Sequence, residues 1–320
     1  MGDSIVMTSN HYDIMIIGMG PAGLTAALYG VRLGLKVVVF GTIPGGSTNM
    51  IESLENFPGF PDSISGTQFG VRAYQQAEQE GGFFTMTRLQ EFGAEAGLFT
   101  GTDTKDQKFT SGSAIIATGR IPKRLKVPNA NVKGVHFCSL CDGPLYRGKN
   151  ATLAVIGSDN TAGQHALTLA RIADKVLLVS RSKEFQMDGA LTSQISEQTK
   201  ISLLPGTEVI DYKGSGTIEG IVVRDQETEK KVIAVDGIFL VIGWQTNTKL
   251  LQFPVDTTPA GYLKTDNKLM TSCPGLFAAG DVRDSDMYQV LTACADGARA
   301  AKYCAEYLEA NNLLGQSAGK

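Results

Sequence analysis

"YDIMIIGMGPAGLTAALYGVRLGLKVVVF" (Tyr12–Phe40) decides the fold, because the chain writes it twice. "ATLAVIGSDNTAGQHALTLARIADKVLLV" (Ala151–Val179) superposes on it without a gap 139 positions later, which places Gly18 on Gly157, Gly20 on Asp159, Gly23 on Ala162 and Val37 on Val176. Each copy runs from a β-branched apolar segment through a glycine turn and helically spaced apolar residues into a second apolar segment, the pattern of a βαβ unit. Internal repetition of this kind implies two domains of one architecture. The first copy also holds a GxGxxG fingerprint between strand and helix. Gly18 makes the tight turn, Gly20 lets the backbone approach a pyrophosphate, Gly23 permits close helix–strand packing, and the helix N-terminus favours the anion. The expected fold class is α/β, with two Rossmann-like dinucleotide-binding domains of three layers each.

Two later segments, "SAIIATGRIP" (Ser113–Pro122) and "GLFAAGDV" (Gly275–Val282), end a strand in glycine. Ligands of open α/β sheets bind at such carboxyl ends, and Asp281 there is suited either to sugar hydroxyls or to capping its own turn. The second βαβ copy lies between these segments. The first domain is therefore expected to be discontinuous, 1–118 with 247–320, around an inserted domain of 119–246. The ribose-binding carboxylate usual after the second strand is missing from the first copy, and Phe40 stands there.

At 320 residues, 42% hydrophobic and 19% charged, the chain suits an ordered globular protein of about two domains. A net charge of −3 gives no electrostatic case for nucleic acid or an anionic membrane. The longest apolar region, Ile14–Phe40, is broken by glycines, Pro21, Arg32 and Lys36, so no transmembrane helix is expected. "MGDSIVMTSN" carries Asp3 and no basic run before an apolar one, unlike an export signal, and Val6 stands where myristoylation of Gly2 would need serine or threonine. Five cysteines, only two of them close together, do not make a secreted disulfide framework, and a cytoplasmic location is expected.

The close pair sits in "VHFCSLCDGPLYRG" (Val135–Gly148). A C-x-x-C pair forms a small disulfide loop whose thiols exchange readily when the surroundings stabilise one thiolate. Zinc would need four ligands, but Cys273, Cys294 and Cys304 are isolated and the histidines are only His11, His136 and His165, so no metal is expected. Cys138 and Cys141 read as a redox dithiol, with a buried structural pair as the alternative. Asp142 is either the proton carrier that exchange requires or a turn residue of "CDGP". His136 reads as a loop or packing residue, and Cys294 and Cys304 as core of the helix Val290–Leu308.

Together the landmarks "GMGPAGLTAALY", "ESLENFPGF", "IIATG", "CSLCDG", "YRG", "VIGWQTN" and "FAAGDV" resemble those of the low-molecular-weight thioredoxin reductases, over nearly the whole chain. The resemblance implies that the first domain binds FAD, through Gly18, Gly20, Pro21, Ala22, Gly45, Gly46, Asn56, Thr118, Gly119, Gly280, Asp281 and Gln289. It implies an NADPH-type middle domain, Cys138 and Cys141 as the redox pair, Asp142 as general acid/base, a thioredoxin-like or other disulfide substrate, and a homodimer. The flavin carries the electron chemistry and the protein positions it.

Departures from that family gather in the second copy. "GSDNTA" replaces a GGGxSA-like loop, and "SRSKEFQ" (Ser180–Gln186) replaces an HRRxxxR-like run, leaving Arg181 but putting Ser182 and Gln186 at the other arginine positions. Gln164 stands for an acidic residue, Tyr288 for an arginine and Trp244 for a histidine. Asp159 is expected to hinder a pyrophosphate by bulk and by charge, and each lost arginine contact removes about 1.5–3 kcal/mol. The sum, on the order of 4–6 kcal/mol, is three to four decades of affinity, so NADPH is not the expected donor. Resemblance then points to pyridine-nucleotide-independent relatives. Some are fed by ferredoxin, and some hold a second FAD, for which Trp244 or Tyr288 offers a ring. The alternatives are a dithiol oxidase that gives electrons to oxygen, a reductase using NAD(P)H through a rearranged loop, and a flavin redox sensor without turnover.

Overall fold

The computed structural model describes residues 10–51, 53–95, 97–225 and 230–314. The N-terminal positions read above, Gly2, Asp3 and Val6, lie outside them. The chain divides into two compact units, with boundaries between Ile121 and Pro122 and between Trp244 and Gln245.

The first unit begins with β1 (His11–Ile17), α1 (Pro21–Arg32) and β2 (Val37–Phe40), then α2 (Gly66–Gln79), β3 (Phe83–Phe84), β4 (Leu89–Glu95), β5 (Leu98–Asp103) and β6 (Lys108–Ile116). The chain crosses through β7 (Arg120–Pro122) into the second unit, which holds β8 (Val135–His136), α3 (Ser139–Asp142), β9 (Thr152–Ile156), α4 (Asn160–Ala170), β10 (Lys175–Val179), α5 (Gly189–Ser196) and β11 (Ile201–Leu204). β12 (Glu208–Lys213), β13 (Gly220–Arg224), β14 (Lys230–Ala234), β15 (Gly237–Leu240) and the crossing strand β16 (Trp244–Thr246) complete it. The first unit ends with β17 (Leu276–Ala278) and α6 (Val290–Ala310).

The two sheets repeat one topology. The first has the order β3-β2-β1-β6-β5-β4, with β17 pairing in parallel with the last residues of β6, and the second has the order β11-β10-β9-β15-β8. In each, the strand before the glycine turn is central and the strand after the helix lies beside it in parallel, with registers Ile14↔Val37 and Leu153↔Val176. These are Rossmann-like parallel sheets, as duplicated βαβ units require.

Alternation along the strands builds the layers. Ile14, Ile16, Val37 and Val39 face α1 and α6, while Met15, Ile17, Val38 and Phe40 face Phe92 and Phe109 on the other side. In the second unit Leu153, Val155, Val176 and Leu178 pack on α4, and Ala154, Ile156, Leu177 and Val179 pack on the antiparallel sheet β12-β13-β14. Phe40 is fully buried, with its ring edge-on to Phe109 at 4.9 Å, so its side chain belongs to the core. Among the described residues no helix is long and apolar enough to cross a membrane.

Candidate functional site

The first glycine turn has an open end. Gly18 has φ +125°, and a Cβ there would lie 2.2 Å from the Ala117 carbonyl oxygen, while a Cβ on Gly23 would lie 1.9 Å from the Gly18 oxygen. Both positions exclude side chains because backbone touches backbone. Gly20 differs: its space is empty to 4 Å, and as N-cap of α1 it presents no side chain to the helix N-terminus, where Pro21 opens the first turn. Several site residues gather around this opening. Gly46 approaches the Gly20 Cα, Gly45 has φ +94°, Thr118 and Gly119 follow β6 beside Gly18, and Gly280 abuts Ala22. A second pair stands together nearby in sequence to these elements: the Asn56 amide donates to the Gln289 side-chain oxygen at 3.0 Å, and Gln289 starts α6.

Two buried polar atoms at this end have no protein partner, Thr118 Oγ1 and Asn49 Oδ1. Buried hydroxyls and amides ordinarily do have partners, so these two are available to a ligand. With the open helix end and the side-chain-free glycines, the first unit fits a flavin dinucleotide. Asn49 escaped the sequence reading, because in "GGSTNM" it looks like any polar turn residue.

Asp281 lies at the carboxyl end of β17, paired with Arg120 at 3.2 Å. Burial pushes its carboxyl above the usual carboxylate range, and the Arg120 guanidinium works against that push. Arg120 also stacks on Tyr288 at 3.7 Å and donates to the Tyr262 hydroxyl. Behind them, Asp296 accepts from the Gly280 N–H at 3.2 Å and from Arg283 at 2.7 Å. What Gly280 gives the site is therefore its φ of +73° and its lack of a side chain rather than a hydrogen bond. The signals for Arg120 and Asp296 were single charges next to buried segments. Such a charge announces a partner without saying which.

The second glycine turn is closed from within. Gly157 keeps the role of Gly18, since a Cβ would lie 2.4 Å from the Val241 oxygen. Asp159, however, is the N-cap of α4, and its carboxylate accepts from the Ala162 N–H at 3.0 Å. The side chain is exposed and does not plug the gap that Gly20 leaves open; it supplies the anion itself. The Gln186 N–H donates to the Ser158 carbonyl at 2.6 Å, and the Asp188 N–H donates to Asn160 Oδ1 at 2.8 Å, which stitch the loop after β10 onto the turn. The cleft beside it, about 670 Å³, is bordered by Arg181 and Arg224 but also by Glu208 and Asp225, so its formal charges cancel.

The cysteine pair is a disulfide, with Cα atoms 5.3 Å apart. Cys138 is the N-cap of α3 and its Sγ accepts from the Cys141 N–H at 3.2 Å, a contact that favours a thiolate once the bond opens. Asp142 is buried, and its carboxylate lies 3.4 Å from His136 Nδ1. Of the two roles read for His136, loop or packing, the structure shows packing: it sits on β8 against Phe239, with both ring nitrogens engaged. Burial pushes the thiols of Cys273, Cys294 and Cys304 up, which leaves them poor nucleophiles.

A nucleotide-fold unit open at its helix end, joined in one chain to a second that carries a dithiol/disulfide pair, defines a nucleotide-linked disulfide oxidoreductase. Residues 12–297 match Pyridine nucleotide-disulphide oxidoreductase, and the chain belongs to that family. It is similar to thioredoxin reductase of Treponema pallidum, 33% identical over 93% of this chain and 97% of that one. It is also similar to NADPH-dependent thioredoxin reductase 3 of Arabidopsis thaliana, 35% identical over 94% of this chain, which spans 59% of the longer plant protein. Among solved structures, thioredoxin reductase from Streptococcus pyogenes covers 95% of the chain at TM-score 0.85 and 30% identity, with all of its own length matched. The protein is a flavin-dependent disulfide oxidoreductase.

Proposed function

We propose that the protein reduces a thioredoxin-like protein disulfide through Cys138–Cys141, with electrons from a donor other than NADPH, a one-electron carrier of the ferredoxin class. One observation carries the choice of donor. The α1 N-terminus is open at Gly20, while the equivalent N-terminus of α4 is occupied by the Asp159 carboxylate. A pyrophosphate would compete there with a like charge that is already hydrogen-bonded.

FAD, held by the Gly18–Ala22 turn, Gly45–Gly46, Asn49 and Thr118, would supply the conversion of single electrons into the pair that opens the disulfide. Two electrons and two protons turn Cys138–Cys141 into a dithiol. One thiolate then bonds to a sulfur of the substrate disulfide and displaces the other, and the second cysteine resolves the mixed disulfide and restores the pair. Asp142 gives and takes the proton.

One FAD per chain is part of this proposal. The cleft beside Asp159 has no aromatic residue among its described lining; Trp244 packs edge-on against Phe137 at 6.3 Å, and Tyr288 lies against Arg120 and Tyr262. A second reading, NADPH as donor, is favoured by the name of the Arabidopsis relative and by Arg181 in the cleft. The test is anaerobic titration of the yellow holoprotein with NADPH, NADH and reduced ferredoxin, with flavin counted per chain and thiols counted afterwards. Bleaching by ferredoxin alone with two new thiols is expected. Stoichiometric bleaching by NADPH refutes the proposal, and oxygen uptake with a small dithiol and no reduced carrier replaces it with a dithiol oxidase.

A further inference from the structure

We propose that Asp142, His136 and Tyr146 form a proton relay beside the Cys138–Cys141 disulfide, with His136 as the positioning residue. The inference rests on the reading of Asp142 as the acid/base of exchange.

His136 and Asp142 are each more than nine-tenths buried. The imidazole spans two partners, Asp142 Oδ2 at 3.4 Å from Nδ1 and the Tyr146 hydroxyl at 2.8 Å from Nε2. Its plane lies on Phe239 of β15, with centroids 5.1 Å apart and planes at 28°. Tyr146 meets Phe239 edge-on, and its hydroxyl is seated over Gly237, where a Cβ would come within 2.3 Å of the oxygen. Gly237 therefore keeps the space the phenol occupies, and the ring is clamped on three sides. Among the described residues, the titratable groups in contact with it are Asp142 from α3 and Tyr146 from the turn that follows, and β15 presents Phe239.

Hydrogen-bond logic assigns the tautomer. A carboxylate only accepts, so Nδ1 carries the hydrogen of the neutral ring, and Nε2 is then left to accept from the Tyr146 hydroxyl. The three groups point one way. When an incoming thiolate bonds to one sulfur of the pair, the sulfur–sulfur bond breaks, and the Asp142 carboxylate takes the proton of Nδ1 and passes it to the departing thiolate. Nε2 takes the proton of Tyr146, and solvent returns one to the phenol oxygen. The sum is one proton delivered from solvent to the leaving sulfur. An ionised carboxylate has no proton of its own to give, and the relay supplies one from solvent.

The test follows reduction of the disulfide in the holoprotein by dithiothreitol from pH 5 to 9, with thiols counted on quenched samples and rates divided by the thiolate fraction of the reagent. The same rates are measured in D₂O, and a normal solvent isotope effect is expected in the unsubstituted protein, because the proton crosses several bonds as the sulfur leaves. In H136Q and H136F the corrected rate falls about tenfold and that isotope effect is lost. Y146F, which keeps the ring packing, slows the reaction and lowers the isotope effect. Folded His136 variants with an unchanged isotope effect overturn the relay, and if those variants melt, a Y146F rate and isotope effect identical to the parent overturn it. D142N separates the two layers. If D142N is slow while H136Q is normal, only the relay fails; if D142N is as fast as the parent, the acid/base reading fails and takes the relay with it.

Discussion

Asp159→Gly should convert the closed turn of the second unit into an open one, and the size of the effect follows from where the carboxylate sits. Its Oδ1 is 3.0 Å from the Ala162 nitrogen, in the position a phosphate oxygen would take on the helix end. Unit charges about 4 Å apart interact by about 1 kcal/mol in water and about 4 kcal/mol at an effective dielectric of 20. Asp159 is exposed, so the lower end applies, and two phosphate charges give about 2 kcal/mol of repulsion. The occupied N–H is a charge-assisted hydrogen bond that a pyrophosphate forgoes, about another 2 kcal/mol. Together these are about a thousandfold in affinity.

The two contributions come apart in two variants. Asp159→Asn keeps the size and the cap but removes the charge, and should tighten NADPH by about thirtyfold. Asp159→Gly removes both, and should tighten it by about a thousandfold. Neither should unfold the unit: Asp159 has extended φ and ψ of −99° and −179°, open to any residue, and asparagine or glycine at an N-cap costs only a few tenths of a kcal/mol. The assay is quenching of nucleotide fluorescence at low and high salt, since screening should narrow the gap between the parent and Asp159→Asn. Both variants binding within threefold of the parent, or a parent already micromolar for NADPH, would refute the reasoning.

Arg120→Ala should leave Asp281 buried without its cation. The folded carboxyl already sits above its ordinary range, so its folded form prefers the proton, and stability is full at low pH and declines as pH rises through the raised value. Removing Arg120 extends that decline upward, so the loss in stability should be greater at pH 8 than at pH 5, reaching about 3 kcal/mol, as melts at the two pH values would show; a loss equal at both would contradict it. Gly23→Ala puts a methyl 1.9 Å from a carbonyl oxygen and should abolish FAD retention, whereas Ala162→Gly at the equivalent place should cost only about 1 kcal/mol; gel filtration with flavin absorbance and thermal melts read both. Thr118→Val removes a buried hydroxyl with no protein partner, so the apoprotein should melt no lower, or higher, while FAD dissociates about tenfold faster, as flavin fluorescence would show.

The parts of this molecule legible in the sequence are those written within about thirty residues. Period-two and period-3.6 patterns sit side by side in Tyr12–Phe40 and again in Ala151–Val179, and they fix strand, turn, helix and parallel partner without reference to the rest of the chain. The cysteine pair and the carboxylate after it are likewise local. Arg120 and Asp281 are different. They are 161 positions apart and meet only because β17 takes its place beside the end of β6, a pairing no local pattern encodes. His136, read as a loop or packing residue, does pack on Phe239, and its polar partners were hidden for the same reason in miniature. Its partners lie six and ten residues on, but across a short helix and a 3-10 turn whose geometry places the carboxylate and the phenol at opposite nitrogens.

Asp159 lies between these cases. The sequence shows a carboxylate where a glycine belongs and invites a steric explanation, yet an aspartate directly before a helix is also the ordinary signature of an N-cap. Those readings differ in consequence. A plug could be displaced by a small rearrangement of the loop, but a cap is held by the helix it stabilises, about 1 kcal/mol, and its carboxylate is tethered at an effective concentration no free ligand in solution matches. A helix end of this kind offers its first-turn N–H groups to one anion at a time. The first copy, with Gly20, leaves that place to a ligand; the second fills it from its own chain. On the proposed function the duplication has therefore divided: one copy still binds a dinucleotide, and the other holds the disulfide, with its former anion site converted into part of its own stability.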